Sequence, residues 1–467
     1  MSKTVFERQL PPDAVIRASL ANTRHAVYWL DALAERPTYP RLPGNLKTGL
    51  AIVGGGMVGL WTAILAKERF PQTEVVLLEA RQLGWAASGR NGGFCEASLT
   101  HGEKNGKRRW PDEYDTLYQM GITNLDEIEA TIAKYGIDCD FERTGELVVA
   151  VEPYQDAELR GEGYLDQAQV RAEVNSPTFL SGHWDGTDTA MLNPAKLVVG
   201  MGKVASQLGV KIYESTPVEG LTQLGGGRIG LQTPHGLVDA ERATLATNVF
   251  PALLKRYRLH TMPVYDYALM TEPLNDEQMA AIGWQNRQGL ADPSNQFHYY
   301  RITRDNRILF GGYDALYYFG GQVHEEYEYH HPTFTKLASH FFTTFPQLAG
   351  LKFSHCWGGA IDVCTRYCAF FGSAYGGKVA HAAGLTGLGV GASRFAGNVL
   401  LDKVFGLDTE RTRLKMVSQP TLPFPPEPIA YPAVKLMQWR LDCADHNEGK
   451  RDWFLRSMDA LGLGFES

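Results

Sequence analysis

Long apolar runs are missing from this sequence. No window approaches the roughly 18 consecutive apolar residues that a membrane span requires. Residues 1–24 are mixed polar and charged, with Pro11-Pro12 and Asp13 where a secretory leader would carry its apolar centre. Cysteine is scarce, with only Cys95, Cys139, Cys356, Cys364, Cys368 and Cys443 in 467 residues. Cys364 and Cys368 lie four apart, but no second cysteine pair or histidine pair completes a zinc set. Free buried thiols, no metal and a reducing, cytoplasmic setting are therefore expected. Positive charge is also short: the formal net charge is −7, and the longest basic run is Lys107-Arg108-Arg109. That argues against nucleic acid as a partner, as the missing apolar runs argue against a membrane. What remains is an ordinary globular composition, 44% apolar and 21% charged. The length exceeds one typical core, so two domains are expected.

The most informative stretch is Leu50-Ala51-Ile52-Val53-Gly54-Gly55-Gly56-Met57-Val58-Gly59. An apolar run leads into G-x-G-x-x-G spacing and then the helix-compatible run Leu60 to Lys67. A second apolar run, Glu74 to Leu78, ends on an acid, Glu79. The order is strand, tight turn, helix, strand, acid. Gly54 permits the turn, Gly56 lets backbone approach a pyrophosphate, and Gly59 lets the helix pack closely on the sheet. The helix start offers N–H groups and partial positive charge to phosphates. Glu79 can accept hydrogen bonds from ribose hydroxyls. A dinucleotide site is expected.

Next comes a loop rich in small residues, Leu83 to Phe94, in which Ser88, Arg90 and Asn91 can hydrogen-bond to phosphate or ring edges. The pattern then predicts a helix over 111–136, a strand at Gly145 to Val151, a polar helical stretch to about 175, and a helix from Pro194 capped by Asn193. Strands follow at 209–213 and 243–246, with a hairpin over 229–238. From Pro263 onward, 264–271, 297–303 and 307–312 read as antiparallel strands. A helix over 332–345, a strand-like run 353–371 and a last core strand 378–382 lead to a second Gly-rich turn, Gly384 to Gly391.

The fold class expected is α/β, α+β overall: a Rossmann-like nucleotide domain with an inserted antiparallel-sheet substrate domain. The boundaries expected are an N-terminal arm, 1–46, then nucleotide-binding segments 47–150, 191–262 and 353–410. They alternate with substrate segments 151–190 and 263–352, and the tail is 411–467.

Together Gly54 to Gly59, Ser88-Gly89-Arg90-Asn91-Gly92-Gly93 and Ala246-Thr247-Asn248 resemble the FAD-dependent amine and amino-acid oxidoreductases of the D-amino-acid-oxidase superfamily. Trp357-Gly358-Gly359-Ala360-Ile361-Asp362-Val363-Cys364-Thr365, with Tyr299-Tyr300-Arg301 and the late Gly-rich turn, resembles its γ-glutamylputrescine oxidase branch. The resemblance spans roughly residues 25 to 410. It implies FAD rather than NAD. Gly54, Gly56, Met57, Val58 and Gly59 would hold the diphosphate, and Glu79, Ala80 and Arg81 the adenosine side. Ser88 to Gly93 would run along the diphosphate and flavin, Val218 beside the adenine, and Thr247-Asn248 near the diphosphate. Gly359 and the run Gly384, Leu385, Thr386, Gly387, Leu388, Gly389, Val390 would meet the flavin, where a helix start stabilises negative charge on its reduced pyrimidine edge.

Three departures from the family pattern matter. Ile361-Asp362 stands where glycine-oxidase-like members carry a carboxylate-gripping arginine, Leu388 where the branch often has histidine, and Cys364 is not aligned with the flavin-linking cysteine of sarcosine oxidase. Non-covalent FAD is expected. The activity implied is oxidation of a C–N bond by hydride transfer to flavin N5, with oxygen or another acceptor taking the electrons. The substrate would be a small amine or amino acid. No side chain is assigned as a catalyst. Candidate substrate contacts are Tyr299, Arg301, Trp357 and Asp362. Tyr299 and Trp357 could equally be core aromatics. Arg301 is either the carboxylate anchor or a partner of Asp305. Asp362 either pairs with a cationic group or hydrogen-bonds a turn. His298, His355 and His381 read as packed histidines. The rival readings are a non-catalytic FAD-binding protein and an NAD-linked dehydrogenase. Oligomeric state is left open.

Overall fold

The computed structural model describes residues 2–463. The apolar runs flanking the Gly-rich turn become adjacent parallel strands, Leu46–Val53 and Val75–Leu78, paired from Leu50–Val75 to Val53–Leu78. Lys211–Tyr213 extends the sheet on one side and Gly236–Leu245 on the other. Gly236–Leu245 is long enough to serve two neighbours. Its first half pairs antiparallel with Ile229–Thr233, while Ala243 to Leu245 pair parallel with Val379 to His381. With Gly220–Gln223 and Phe370–Ala374 at the edges, the sheet has eight strands. Its central strands are unbroken apolar runs because both faces are covered. Helices Met57–Arg69, Tyr114–Tyr135, Pro194–Gln207 and Ala392–Phe405 contribute to the core on one face. On the other face Ala51, Val53, Val76 and Leu78 pack with Ile229, Leu231 and Val238 of the meander. The Asn193 side chain accepts from Lys196 N and Pro194 takes the first helical position, which is why that helix starts where the sequence indicates.

The second sheet has nine strands and is mainly antiparallel. At its centre Met262–Thr271 lies between Phe353–Val363 and Ile308–Gly312, and His298–Ile302 follows. Strand alternation sets its two faces. Tyr300, Ile302, Ile308 and Phe310 bury against helix His331–Thr344 through Phe334, Leu337 and Phe341. Tyr299, Asp266 and Trp357 point the opposite way, toward the interior between the two sheets. A two-stranded ribbon, Phe94–Glu96 with Thr189–Met191, bridges the sheets.

Several expected boundaries are corrected. Glu146–Ala150 pairs with Ser181–Asp185 and Gly289–Ala291, so it belongs to the nine-stranded sheet and not to the nucleotide segment ending at 150. Phe353–Val363 also belongs there, against Met262–Thr271. The run 353–371 is two strands in different sheets, parted by a turn at 365–368 with Tyr367 in the left-handed region, φ 58°. An apolar pattern reports a strand but not the sheet that takes it. The polar stretch after 151 is helical only at Pro153–Glu158 and Gln167–Glu173, with positive-φ Gly161 and Gly163 between. In the arm Trp29 is fully buried, and Arg24–His25 adds a parallel pair to Phe353–Val363.

Candidate active site

A cavity of about 1330 Å³ runs between the two sheets, from the first Gly-rich turn to the inward face of the antiparallel strands. Gly54, φ +108°, opens it. A Cβ there would stand 2.3 Å from the Ala246 carbonyl oxygen, so no other residue fits. A Cβ on Gly59 would lie 1.8 Å from the Gly54 carbonyl, which is the close helix-to-strand approach expected of the third glycine. Gly59 itself stands behind the wall, while Gly54, Gly56, Met57 and Val58 line it.

Glu79 brackets the turn. Its Oε2 accepts from Gly55 N (2.6 Å), and Oε1 accepts from Arg81 N (2.8 Å) and from Trp85 Nε1 (2.9 Å). Burial raises its carboxyl in spite of these donors. A carboxylate offers about four lone-pair sites, so one remains for a ribose hydroxyl. Ala80, Val218, Thr247 and Asn248 continue the wall. Asn248 is left-handed, φ 51°, and its buried Oδ1 accepts no hydrogen bond from a described group. Such an orphaned acceptor beside a turn that only glycine can form fits a bound dinucleotide. FAD would be held here.

The Ser88 to Gly93 loop takes a more internal role than its polar residues suggested. Ser88 Oγ accepts from Met57 N (2.9 Å), tying the loop to the helix start. Asn91 braces the loop itself, donating to the Ala87 and Ser88 carbonyls and accepting from Gly93 N. Arg90 donates to the Trp85 and Gly358 carbonyls and pairs with Glu328 (2.7 Å), its stem lying across Gly359. The Arg81 guanidinium pairs with Glu325 and lies over the Trp85 ring. Asn91 and Arg81 thus brace this part of the wall; Asn91 also borders the cavity, whereas Arg81 does not. Gly89 likewise stands behind the wall, where a Cβ would strike the Gly84 carbonyl at 2.2 Å.

The late turn is built by Asp362. Its Oδ2 accepts from Gly384 N (2.7 Å) and Leu385 N (3.2 Å), while Thr386 Oγ1 accepts from Cys364 N. Gly384, Thr386 and Gly387 all have positive φ. Leu385 to Val390 border the cavity, and helix Ala392–Phe405 starts just beyond. Burial pushes the Asp362 carboxyl up to about 6 although the turn's N–H groups stabilise its charge. Of the two readings of Asp362, its hydrogen bonds satisfy the structural one.

On the substrate side, Tyr299 and Trp357 border the cavity. Tyr299 donates its hydroxyl to Asp266 (2.6 Å) and Trp357 its indole N–H to the Arg90 carbonyl (2.8 Å). Burial raises Asp266 to about 6. Arg301 shares a strand face with Tyr299 but lies behind the wall. It is 2% exposed, donates to the Gly93 and Leu192 carbonyls and sits over the Trp29 ring. Its expected use as a carboxylate anchor is corrected: the guanidinium holds backbone together. Asp305 pairs instead with Arg307.

Sequence reasoning missed Trp85, Glu96, His101, Glu146 and Asp266, all on the cavity wall. Glu146 had a signal, since alternation with Leu147 and Val149 puts it on the opposite face. Glu96 lies in a strand too short to read from pattern. Among the described residues no helix is long and apolar enough to cross a membrane, and no group of three His, Cys, Asp or Glu could hold a metal.

A family model described as FAD dependent oxidoreductase matches residues 50–403. Gamma-glutamylputrescine oxidoreductase of Escherichia coli is 28% identical over 422 residues, 86% of this chain and 94% of that protein. A probable oxidoreductase, OrdL, of Rhizobium meliloti is 26% identical over 420 residues, 85% of this chain and 92% of that one. Among solved structures, glycine oxidase from Geobacillus kaustophilus superposes with a TM-score of 0.64 at 17% identity, covering 78% of this chain and 96% of its own. That last likeness is one of fold.

Proposed function

The chain belongs to the family of FAD-dependent oxidoreductases, and from that premise we propose that it oxidises a C–N bond in a small amine or amino acid. FAD, when bound, supplies the hydride acceptor that turns the C–N bond into an imine, which water hydrolyses to an aldehyde or keto acid plus ammonia or a smaller amine. The observation that carries the reading is the continuity of one cavity. It passes from the Gly54 turn, past the Asp362-built turn, to a face bearing Tyr299, Asp266 and Trp357. The similarity to gamma-glutamylputrescine oxidoreductase supports nitrogen as the reacting centre.

The chain's own residues perform the remaining tasks. Asp362 holds the late turn through Gly384 N and Leu385 N, so that the turn borders the cavity beside the start of helix Ala392–Phe405, whose partial positive charge favours an anion. Trp357 and Tyr299 shape a largely apolar floor that excludes water and favours the uncharged form of a reacting amine. The Tyr299–Asp266 hydrogen bond fixes the ring that bounds this floor. Nucleophilic side-chain catalysis is not required.

The test is anaerobic addition of amines, N-alkyl glycines, γ-glutamyl-polyamines and amino acids to the purified yellow protein, following loss of flavin absorbance. Bleaching by at least one C–N substrate class is expected. Stable colour with the whole panel would favour a binding-only role, and a colourless protein that reduces NAD would favour the dehydrogenase reading.

A further inference from the structure

We propose that Glu96 and Glu146 together bind a second positively charged nitrogen of the substrate, distinct from the nitrogen that is oxidised, so that diamines are preferred over monoamines. This rests on the reading of the cavity as an amine-oxidising site, and it names residues for which that reading has no use.

Two unrelated strands bring the carboxylates together. Glu96 closes Phe94–Glu96, in which Cys95 turns into the core while Phe94 and Glu96 face the cavity. Glu146 opens Glu146–Ala150, in which Leu147 and Val149 are core and Glu146 and Val148 face the cavity. Thr189 joins them. It is the cross-strand partner of Glu96, and its carbonyl accepts from Gly145 N (2.9 Å), one residue from Glu146. Glu96 also sits at the foot of the late turn, since a Cβ on Gly391 would stand 1.9 Å from the Glu96 carbonyl oxygen.

Neither carboxylate is satisfied by the protein. Each side chain is half-buried on the cavity wall, and no hydrogen bond or ion pair from a described residue meets either carboxylate. The groups acting on Glu146 are Glu96 and Asp185, both acidic. Nearby cations are already committed: Arg143 to Asp126 and Glu129, Arg287 to Glu142, and Lys104 to Glu158. Two carboxylates set side by side on a cavity wall, with no cation of the protein between them, are matched to a ligand that brings donors and positive charge. A neutral ligand would leave both carboxylates unsatisfied, and a carboxylate would be repelled. A metal is a poor occupant, because no third ligating side chain joins them among the described residues.

The test is calorimetric binding of 1,4-diaminobutane and of butylamine to the anaerobic holoprotein at pH 8. The wild type is expected to bind the diamine about ten-fold tighter or better, the scale of one charge-assisted contact in a low-dielectric site. E96Q and E146Q should each lose that preference while holding butylamine within about two-fold, and E146D should restore part of it. Retained flavin absorbance and melting temperature check that the variants fold. If a variant fails that check, the wild-type comparison and the other variant decide. Equal binding of the two amines by the wild type, or a preference that survives in both glutamine variants, overturns the proposal. Preferential diamine binding with no flavin bleaching by any member of the amine and amino-acid panel would sink the oxidation reading and leave this one standing. Bleaching by both amines without a binding preference would do the reverse.

Discussion

The two ends of the cavity are built from different materials. At the nucleotide end the working groups are backbone: Gly54, Gly56 and Gly59 clear space, and side chains such as Glu79, Ser88 and Asn91 serve mainly to hold main chain in place. At the other end the working groups are side chains carried on strands from different parts of the chain, namely Glu96, Glu146, Asp266, Tyr299 and Trp357. A backbone cradle tolerates few residues at a few positions and is therefore rigid in its demands. A side-chain wall can change one residue at a time without disturbing the fold, which is where specificity can vary.

Substitutions should separate these two modes, and the largest effect is expected at the cradle. Gly54→Val places a side chain against the Ala246 carbonyl at a positive φ. The purified variant is expected to be colourless, read as loss of flavin absorbance relative to protein; a variant that stays fully yellow would break the contrast. Next is Asp362, which holds the backbone of the late turn. Asp362→Ala removes the acceptor of two buried N–H groups and should weaken FAD retention about ten-fold or more, whereas Asp362→Asn, which keeps an acceptor oxygen, should lose less. Titration of apoprotein with FAD measures both. Arg301→Met should cost about 1–3 kcal/mol of stability by taking the donor from the Leu192 carbonyl. The ranking of substrates should stay as it is, and a changed ranking would return Arg301 to the substrate site.

The smallest effect concerns pH. Burial raises Glu96 to about 7 and Glu146 to about 8, with Glu96 and Asp185 facing the latter. Between the ordinary carboxyl pKa, about 4.5, and 8 the folded protein therefore holds more protons here than the unfolded chain. This contribution to stability is full below the lower value and is lost as pH rises through the window. The double variant E96Q/E146Q should show a flatter fall of apoprotein melting temperature between pH 5 and 8.5 than the wild type. Parallel curves would mean that the two carboxylates ionise as they do in water.

The same contrast explains what was legible in the sequence. The cradle could be read because its geometry admits only glycine at fixed spacing and places an acid after the second strand. The antiparallel strands and the hairpin at 304–306 could be read from alternation and turn residues. Sheet membership could not: Glu146–Ala150 and Phe353–Val363 look like any half-buried strand, and their partners lie far away in sequence. Arg301 and Asp362 were singled out as candidate substrate contacts, but charge and position do not say whether a group meets ligand or backbone. Burial and available partners decide that, and only three dimensions supply them. Glu96 escaped notice because three residues of strand carry no usable period.

The long strand Gly236–Leu245 has an implication for how the molecule is made. Its second half waits for Val379–Ala383, which is synthesised more than a hundred residues later. A nascent chain on the ribosome thus carries an open parallel edge, with unpaired N–H and C=O groups, throughout translation of the inserted sheet. Later still, Asp445 reaches back to accept from the backbone N–H groups of Asn295 and Gln296 on the cavity rim. Truncation before residue 383 would therefore expose an adhesive edge, whereas truncation before 445 would release the rim and the ties of the last segment to Ser2, Glu7 and Arg109.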